Sequence, residues 1–154
     1  MCIRDRPTTA LDVSVQAQIL ELIKNSVKDF DMGVVLITHN LGVVAQTCSH
    51  VAVMYAGNIV ESGPVAAVIG NPVHPYTRAL MSAIPTRETK RGELRGLAGS
   101  VPNLITPPPG CRFAPRCQFA QPACTAATPA AVSVGNDHSA ACIRVAEMET
   151  LVHG

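Results

Sequence analysis

Apolar positions follow two rhythms along the first half of this chain. Ile19, Leu20, Ile23, Val27 and Phe30 recur at helical spacing and share one face. Asp12 or Ser14 is placed to cap that helix and Gly33 to end it, so a helix is expected over Val13–Asp31. Val34–Thr38 is a short β-branched run, the pattern of a strand covered on both faces. It delivers His39 and Asn40 at its end, and a short helix is expected over Leu41–Thr47. Val51–Tyr55 and Ile59–Ser62 flank Ala56-Gly57-Asn58, which predicts a hairpin. Pro64 and Pro75 are each expected at a first helical position, opening helices that run to Ile69 and over Tyr76–Ala83. Strands alternating with helices predict an α/β layered domain that closes near Ile84.

Beyond that point the rhythm is lost. Between Pro85 and Ser100 the residues Arg87, Glu88, Lys90, Arg91, Glu93 and Arg95 form a charged linker. Pro107, Pro108, Pro109 and Gly110 then stiffen the approach to the first of four clustered cysteines, Cys111, Cys117, Cys124 and Cys142. Gly110, Pro115, Pro122 and Pro129 break regular structure between them, so residues 100–145 are expected to form a loop-rich module with little core, followed by a tail over 146–154. Met1–Arg6 fit neither pattern. A buried strand is expected before Pro7, yet this stretch holds two arginines in six residues and reads as a non-native leader on a truncated gene.

Composition narrows the setting. The chain has 154 residues and is 47% apolar, enough for a core, but only 3% aromatic and without Trp. That core is therefore expected to be built of Val, Ile, Leu and Ala. A net charge of +1 gives no electrostatic case for nucleic acid. The apolar runs are far shorter than the ~20 residues of a membrane span. No apolar signal segment is visible near Met1, so a cytoplasmic setting with reduced thiols is expected.

In that setting the four clustered cysteines admit several readings. Their gaps are five, six and seventeen residues. Structural zinc prefers cysteine pairs two to four residues apart, and neither short gap matches. Disulfides are disfavoured in a reducing compartment. A [4Fe–4S] cluster needs four thiolates and tolerates variable spacing. The remaining reading is four thiols packed as small hydrophobes. A module this small gains from a staple, which a metal would supply. Cys48 reads as a buried apolar residue and Cys2 has no assigned role. His138 is near Cys142 in sequence and is expected in a supporting or surface role; Arg112, Arg116 and Arg144 bracket the cysteines and either offset a cluster's negative charge or lie in solvent.

Several of these segments resemble one family. Thr9-Ala10-Leu11-Asp12 is similar to the D-loop of ABC-transporter ATPases, and Thr38-His39-Asn40 to their H-loop. The stretch from Val51 to Gly63 resembles the hairpin that follows it. His74-Pro75-Tyr76-Thr77-Arg78-Ala79-Leu80 and the cysteine segment look like the peptide (and nickel) importer branch. The resemblance covers residues 7–145 and implies a partial ABC-type nucleotide-binding domain, a truncated P-loop NTPase-like sheet with helices, over 7–84. It also implies a cysteine-rich metal-binding module over 100–145, with Cys111, Cys117, Cys124 and Cys142 as ligands of an iron–sulfur cluster and zinc as the alternative.

The same resemblance implies that His39 contacts the terminal phosphate of ATP and helps orient the attacking water. It places Asp12 at an interface between two ATPase subunits. For the full-length parent it implies ATP and Mg²⁺, a second ATPase subunit, two transmembrane permease subunits, a peptide-binding protein and a site on the cytoplasmic face of the inner membrane. The sequence lacks G-x-x-x-x-G-K-[ST], the Q-loop and the signature motif of the family. Asp5 stands where the magnesium-binding Asp belongs, and Arg6 where a carboxylate would activate water. Arg cannot accept that proton, so the chain alone is expected neither to bind ATP tightly nor to hydrolyse it. The competing expectation is a stand-alone, non-enzymatic iron–sulfur or zinc module.

Overall fold

A computed structural model describes residues 13–84, 97–135 and 137–150. Asp12, Cys2, Asp5, Arg6, the stretch 85–96 and His153 therefore lie outside the described residues. The chain packs as two units, divided between Cys48 and Ser49.

The first unit holds helices α1 (Val13–Asp29) and α2 (Leu41–Thr47). Helix α1 ends two residues earlier than expected. Asp31, at φ 48°, takes the left-handed position expected of Gly33. The Met32 N–H then reaches back to the Val27 carbonyl at 3.1 Å, the six-to-one bond that closes a helix C-terminus. Ile19, Leu20, Ile23 and Val27 are half-buried as the spacing predicts, but Phe30 is exposed. The expected strand over Val34–Thr38 is not formed. The segment is irregular, with Val35 90% and Ile37 92% exposed. A β-branched run becomes a strand only when neighbouring backbone accepts its hydrogen bonds, and among the described residues none pairs with it.

The second unit is built on a four-stranded antiparallel sheet of β1 (His50–Tyr55), β2 (Asn58–Pro64), β3 (Val132–Gly135) and β4 (His138–Ala140). Their order is β1-β2-β4-β3. Ala56 and Gly57, at φ 49° and 86°, make the two-residue turn between β1 and β2. Positive φ at both positions matches the twist of the flanking strands. Helices α3 (Val65–Gly70) and α4 (Pro75–Ser82) follow. Pro75 sits at the start of α4 as expected, whereas Pro64 caps α3 from outside.

Strand β4 pairs with β2 through Glu61–Ala140 and Ser62–Ser139. Residues expected to form a separate loop-rich module thus complete the sheet begun by the hairpin. Helix α5 (Val145–Thr150) occupies the start of the expected tail.

Despite the low aromatic content, rings sit at the centre of the main core. Tyr55, Phe113, Val53, Val60 and Val68 are buried together, with Tyr76 and Leu80 against them. Phe113 meets Tyr55 and Tyr76 edge-on at centroid distances of 5.2 and 5.4 Å. Such pairs add about 0.5–1.5 kcal/mol beyond the area they bury. A smaller core joins Val73, Ala140 and Val145. One buried carboxylate ties the pieces together. Glu61 accepts the Val73 and His74 backbone N–H groups at 2.8 and 3.0 Å, and lies 2.8 Å from Nε2 of His138.

Candidate functional site

His39 lies in the first unit, exposed, on the bend between the extended segment and α2. Asn40 fixes that bend. Its side-chain oxygen accepts from Gly42 and Val43 N–H at 3.0 and 3.3 Å, capping α2. The imidazole is therefore presented at a helix start with its ring accessible. Its expected companion Asp12 is not among the described residues. The sequence supplies no phosphate-cradling loop beside it.

The second unit brings the four clustered cysteines to one cavity. Cys111, Cys117, Cys124 and Cys142 line it with His74, Phe113, Phe119, Ile143 and Arg144 among others. The free space is ≈ 20 Å³, about that of one water. All four cysteines lie outside the strands and α-helices. Cys111 precedes a turn, Cys117 ends a 3₁₀ turn over Ala114–Arg116, Cys124 sits within another over Pro122–Thr125, and Cys142 follows β4. The first and third turns are locked together, because the Cys111 N–H donates to the Cys124 carbonyl at 2.8 Å. Gly110, at φ 76°, makes this approach possible; a Cβ there would collide with the Cys124 carbonyl and the Thr125 backbone.

The Gln121 N–H points at Cys124 Sγ at 3.4 Å. Burial raises the thiol pKa values of Cys117 and Cys142, and the nearby backbone N–H groups of Phe119 and Arg144 partly oppose the rise. Four thiols on one cavity are the donor type a thiolate-bound centre uses. The five described cysteines are free thiols, with no disulfide among them. Among the described residues, no group of three or more His, Cys, Asp or Glu is disposed to hold a metal ion. The four sulfurs thus share a cavity without converging on a single point.

The three arginines expected near the cysteines diverge. Arg112 donates to the Ala56 carbonyl at the hairpin turn. Arg116 binds the Leu97 and Ala98 carbonyls and the Tyr55 hydroxyl. Only Arg144 lines the cavity.

His74, which had no expected role, and His138, expected in a supporting or surface role, are both buried and structural. His74 is 1% exposed, and its Nδ1 accepts the Tyr76 N–H at 3.1 Å, capping α4. Burial lowers its pKa from 6.5 to about 4, so the ring is neutral. His138 is buried against Glu61, and it does not line the thiol cavity. Cys48 is half-buried at the end of α2.

Residues 60–124 match the family described as the oligopeptide/dipeptide transporter, C-terminal region. Over these residues the chain resembles that family. It is 51% identical over 154 residues to a peptide import ATP-binding protein of Brucella ovis, covering 96% of this chain and 46% of the relative. A peptide import ATP-binding protein of Brucella abortus is 50% identical over 127 residues, 82% of this chain and 38% of that protein. The chain thus spans about half the length of the curated relatives it matches, or less. Among the described residues no helix is long and apolar enough to cross a membrane.

Proposed function

We propose that this chain is the C-terminal part of an ATP-hydrolysing subunit that energises peptide import. The observation that carries the reading is its 51% identity, over nearly all of its length, to a peptide import ATP-binding protein. In this reading ATP and Mg²⁺ are held mainly by preceding segments of a longer subunit, whose strands also pair with Val34–Thr38. His39 contacts the terminal phosphate, and Asp12 faces a second ATPase subunit. The assembly includes two membrane permease subunits and a peptide-binding protein, with this subunit peripheral on the cytoplasmic face.

A chimera tests the reading. Residues 7–154 are joined behind the N-terminal portion of the Brucella ovis relative. The chimera is expected to hydrolyse ATP, and His39→Ala to slow turnover by about a hundredfold, the scale of one transition-state hydrogen-bond donor. The 154-residue chain alone is expected to show no micromolar ATP affinity by calorimetry. Tight ATP binding by the chain alone overturns the reading.

Cys111, Cys117, Cys124 and Cys142 would hold a [4Fe–4S] cluster. The reading is supported by four thiols on one cavity and by the Gln121 N–H directed at Cys124 Sγ. Bound there, such a cluster supplies covalent cross-links between loops and a one-electron redox centre. Because the space between the thiols is about one water, the segments that carry them must spread to accept it. Anaerobic purification with iron and acid-labile sulfide analysis decides the matter; stoichiometric zinc without sulfide overturns it.

A second reading is a metal-binding module that acts without nucleotide. It is favoured by the completeness of the second unit, whose sheet and cores close within residues 49–150. Iron and sulfide in the chain, together with a folded but inactive chimera, would select it.

A further inference from the structure

We propose that the groove beside the β1–β2 hairpin is a binding site for a small amphipathic carboxylate, an apolar chain ending in one carboxylate group. The groove lies wholly in the second unit and holds ≈ 400 Å³ of free space. Clefts that take small organic ligands run from about 300 to 1,000 Å³. The neighbouring four-cysteine cavity, at ≈ 20 Å³, is far too small for one.

The apolar wall of the groove is made by the hairpin. Met54 and Ile59 sit directly opposite each other across β1 and β2, and are 58% and 54% exposed. Strand pairing slips by one residue beside them, since Val53 faces Glu61 while Met54 faces Ile59. Val60 is the extra residue of this bulge, and its carbonyl accepts the Ala141 N–H at 2.8 Å. A bulge bends its strand and re-aims the side chains beside it. Met54, Ile59 and Pro129 line one groove in consequence, and offer an apolar chain a surface to lie on.

Polar groups gather at the hairpin turn. Arg112 carries the one charge among the lining residues, and none of them is acidic. Its Nη1 donates to the Ala56 carbonyl. Gly57 leaves room for that approach, because a Cβ there would stand 3.1 Å from Nη1. Among the described residues, Nε and Nη2 of Arg112 and the side-chain amide of Asn58 have no partner. A guanidinium pinned on one side, with donors left over beside a neutral amide, suits a carboxylate. One unit of positive charge matches a monoanion rather than a phosphate dianion. The hydrocarbon wall adds the apolar chain.

Cys111 lines both the groove and the thiol cavity, so it reports on occupancy. The full 154-residue chain is titrated with octanoate in oxygen-free buffer. Binding is read by amide NMR shifts and by maleimide labelling of the cysteines, mapped by mass spectrometry. Octanoate is expected to shift the Gly57, Asn58 and Ile59 amides saturably. It is also expected to slow labelling of Cys111 but not of Cys48, which belongs to the other unit. Arg112→Gln is expected to weaken octanoate about tenfold, the scale of one charge-assisted hydrogen bond, and to leave octanol binding unchanged. Ile59→Asp is expected to weaken both ligands. Octanoate that shifts no groove amide overturns the proposal, as does an Arg112→Gln variant that loses octanoate and octanol equally. Should Arg112→Gln fail to fold, the wild type decides, and equal affinity for octanoate and octanol overturns the proposal. The chimera with the Brucella ovis relative is expected to bind octanoate as the chain does. Loss of binding there would show that the groove is covered by the longer subunit, and would also overturn it.

Discussion

Val34–Thr38 and Val51–Tyr55 are nearly the same kind of sequence with opposite outcomes. Both are short runs of β-branched and other apolar residues. The second is strand β1, zipped to β2 through a two-residue turn. The first makes no ladder and leaves Val35 and Ile37 in solvent. Local composition is thus not what separates them. A hairpin carries its pairing partner within a few residues, so its loop-closure entropy is small. A strand of a parallel sheet depends on segments far away in sequence. The second unit is self-sufficient in this sense, and the first is not.

Hydrogen exchange gives the widest contrast. Amides of β2, which is paired on both sides, are expected to exchange at least about a thousandfold more slowly than those of Val34–Thr38. Equal protection would break the comparison. In the chimera with the Brucella ovis relative, protection of Val34–Thr38 is expected to rise toward that of β2, as newly supplied strands pair with it.

The self-sufficiency of the second unit hinges on Glu61. Its carboxylate is 1% exposed and joins β2 to β4 and to the turn before α4. Glu61→Ala leaves two buried N–H groups and His138 without their acceptor. A loss of about 3–5 kcal/mol is expected in urea unfolding. Glu61→Gln, which keeps one good acceptor, is expected to lose less. Both losses should be confined to the second unit.

A smaller effect comes from His74. Burial holds its pKa near 4 against 6.5 in the unfolded chain. Between those values the unfolded chain binds the proton that the folded one refuses, so stability rises with pH across the window. It is complete above about pH 6.5, falls as the pH drops toward 4 and then levels off, a total on the order of 3 kcal/mol. His74→Asn keeps a capping acceptor without the titration. It is expected to flatten this part of the pH profile when wild type and variant are unfolded in parallel.

These sites also show which parts of the structure were legible in the sequence. Helices α1, α2 and α4 and the β1–β2 hairpin are written in local signals: spacing, Asn40 and Pro75 as start markers, and Gly57 in a tight turn. The four cysteines were legible as a group because turn-forming residues separate them, and the structure brings them to one cavity. What escaped was long-range. Nothing local to His138–Ala140 announces that it will pair with β2, nearly eighty residues earlier. Glu61 and His138 look like ordinary surface residues until the sheet buries them together. Val34–Thr38 fails for the complementary reason: its local pattern is that of a strand, and the missing ingredient is a neighbour.

The smallest expected effect sharpens the comparison from the side of the first unit. Helix α2 has only seven residues, too short to persist on propensity alone. Asn40 satisfies two of its first N–H groups. Asn40→Ala should therefore cost about 1 kcal/mol locally, read as roughly fivefold faster exchange of α2 amides. Asn40→Asp retains the acceptor and should leave the helix intact. If the two units are energetically separate, neither change will move the urea midpoint governed by Glu61. The exchange of α2 would then respond to its cap while β2 stays as it was. A shift of the β2 amides on Asn40→Ala would show instead that the start of α2, and the histidine beside it, are coupled to the sheet.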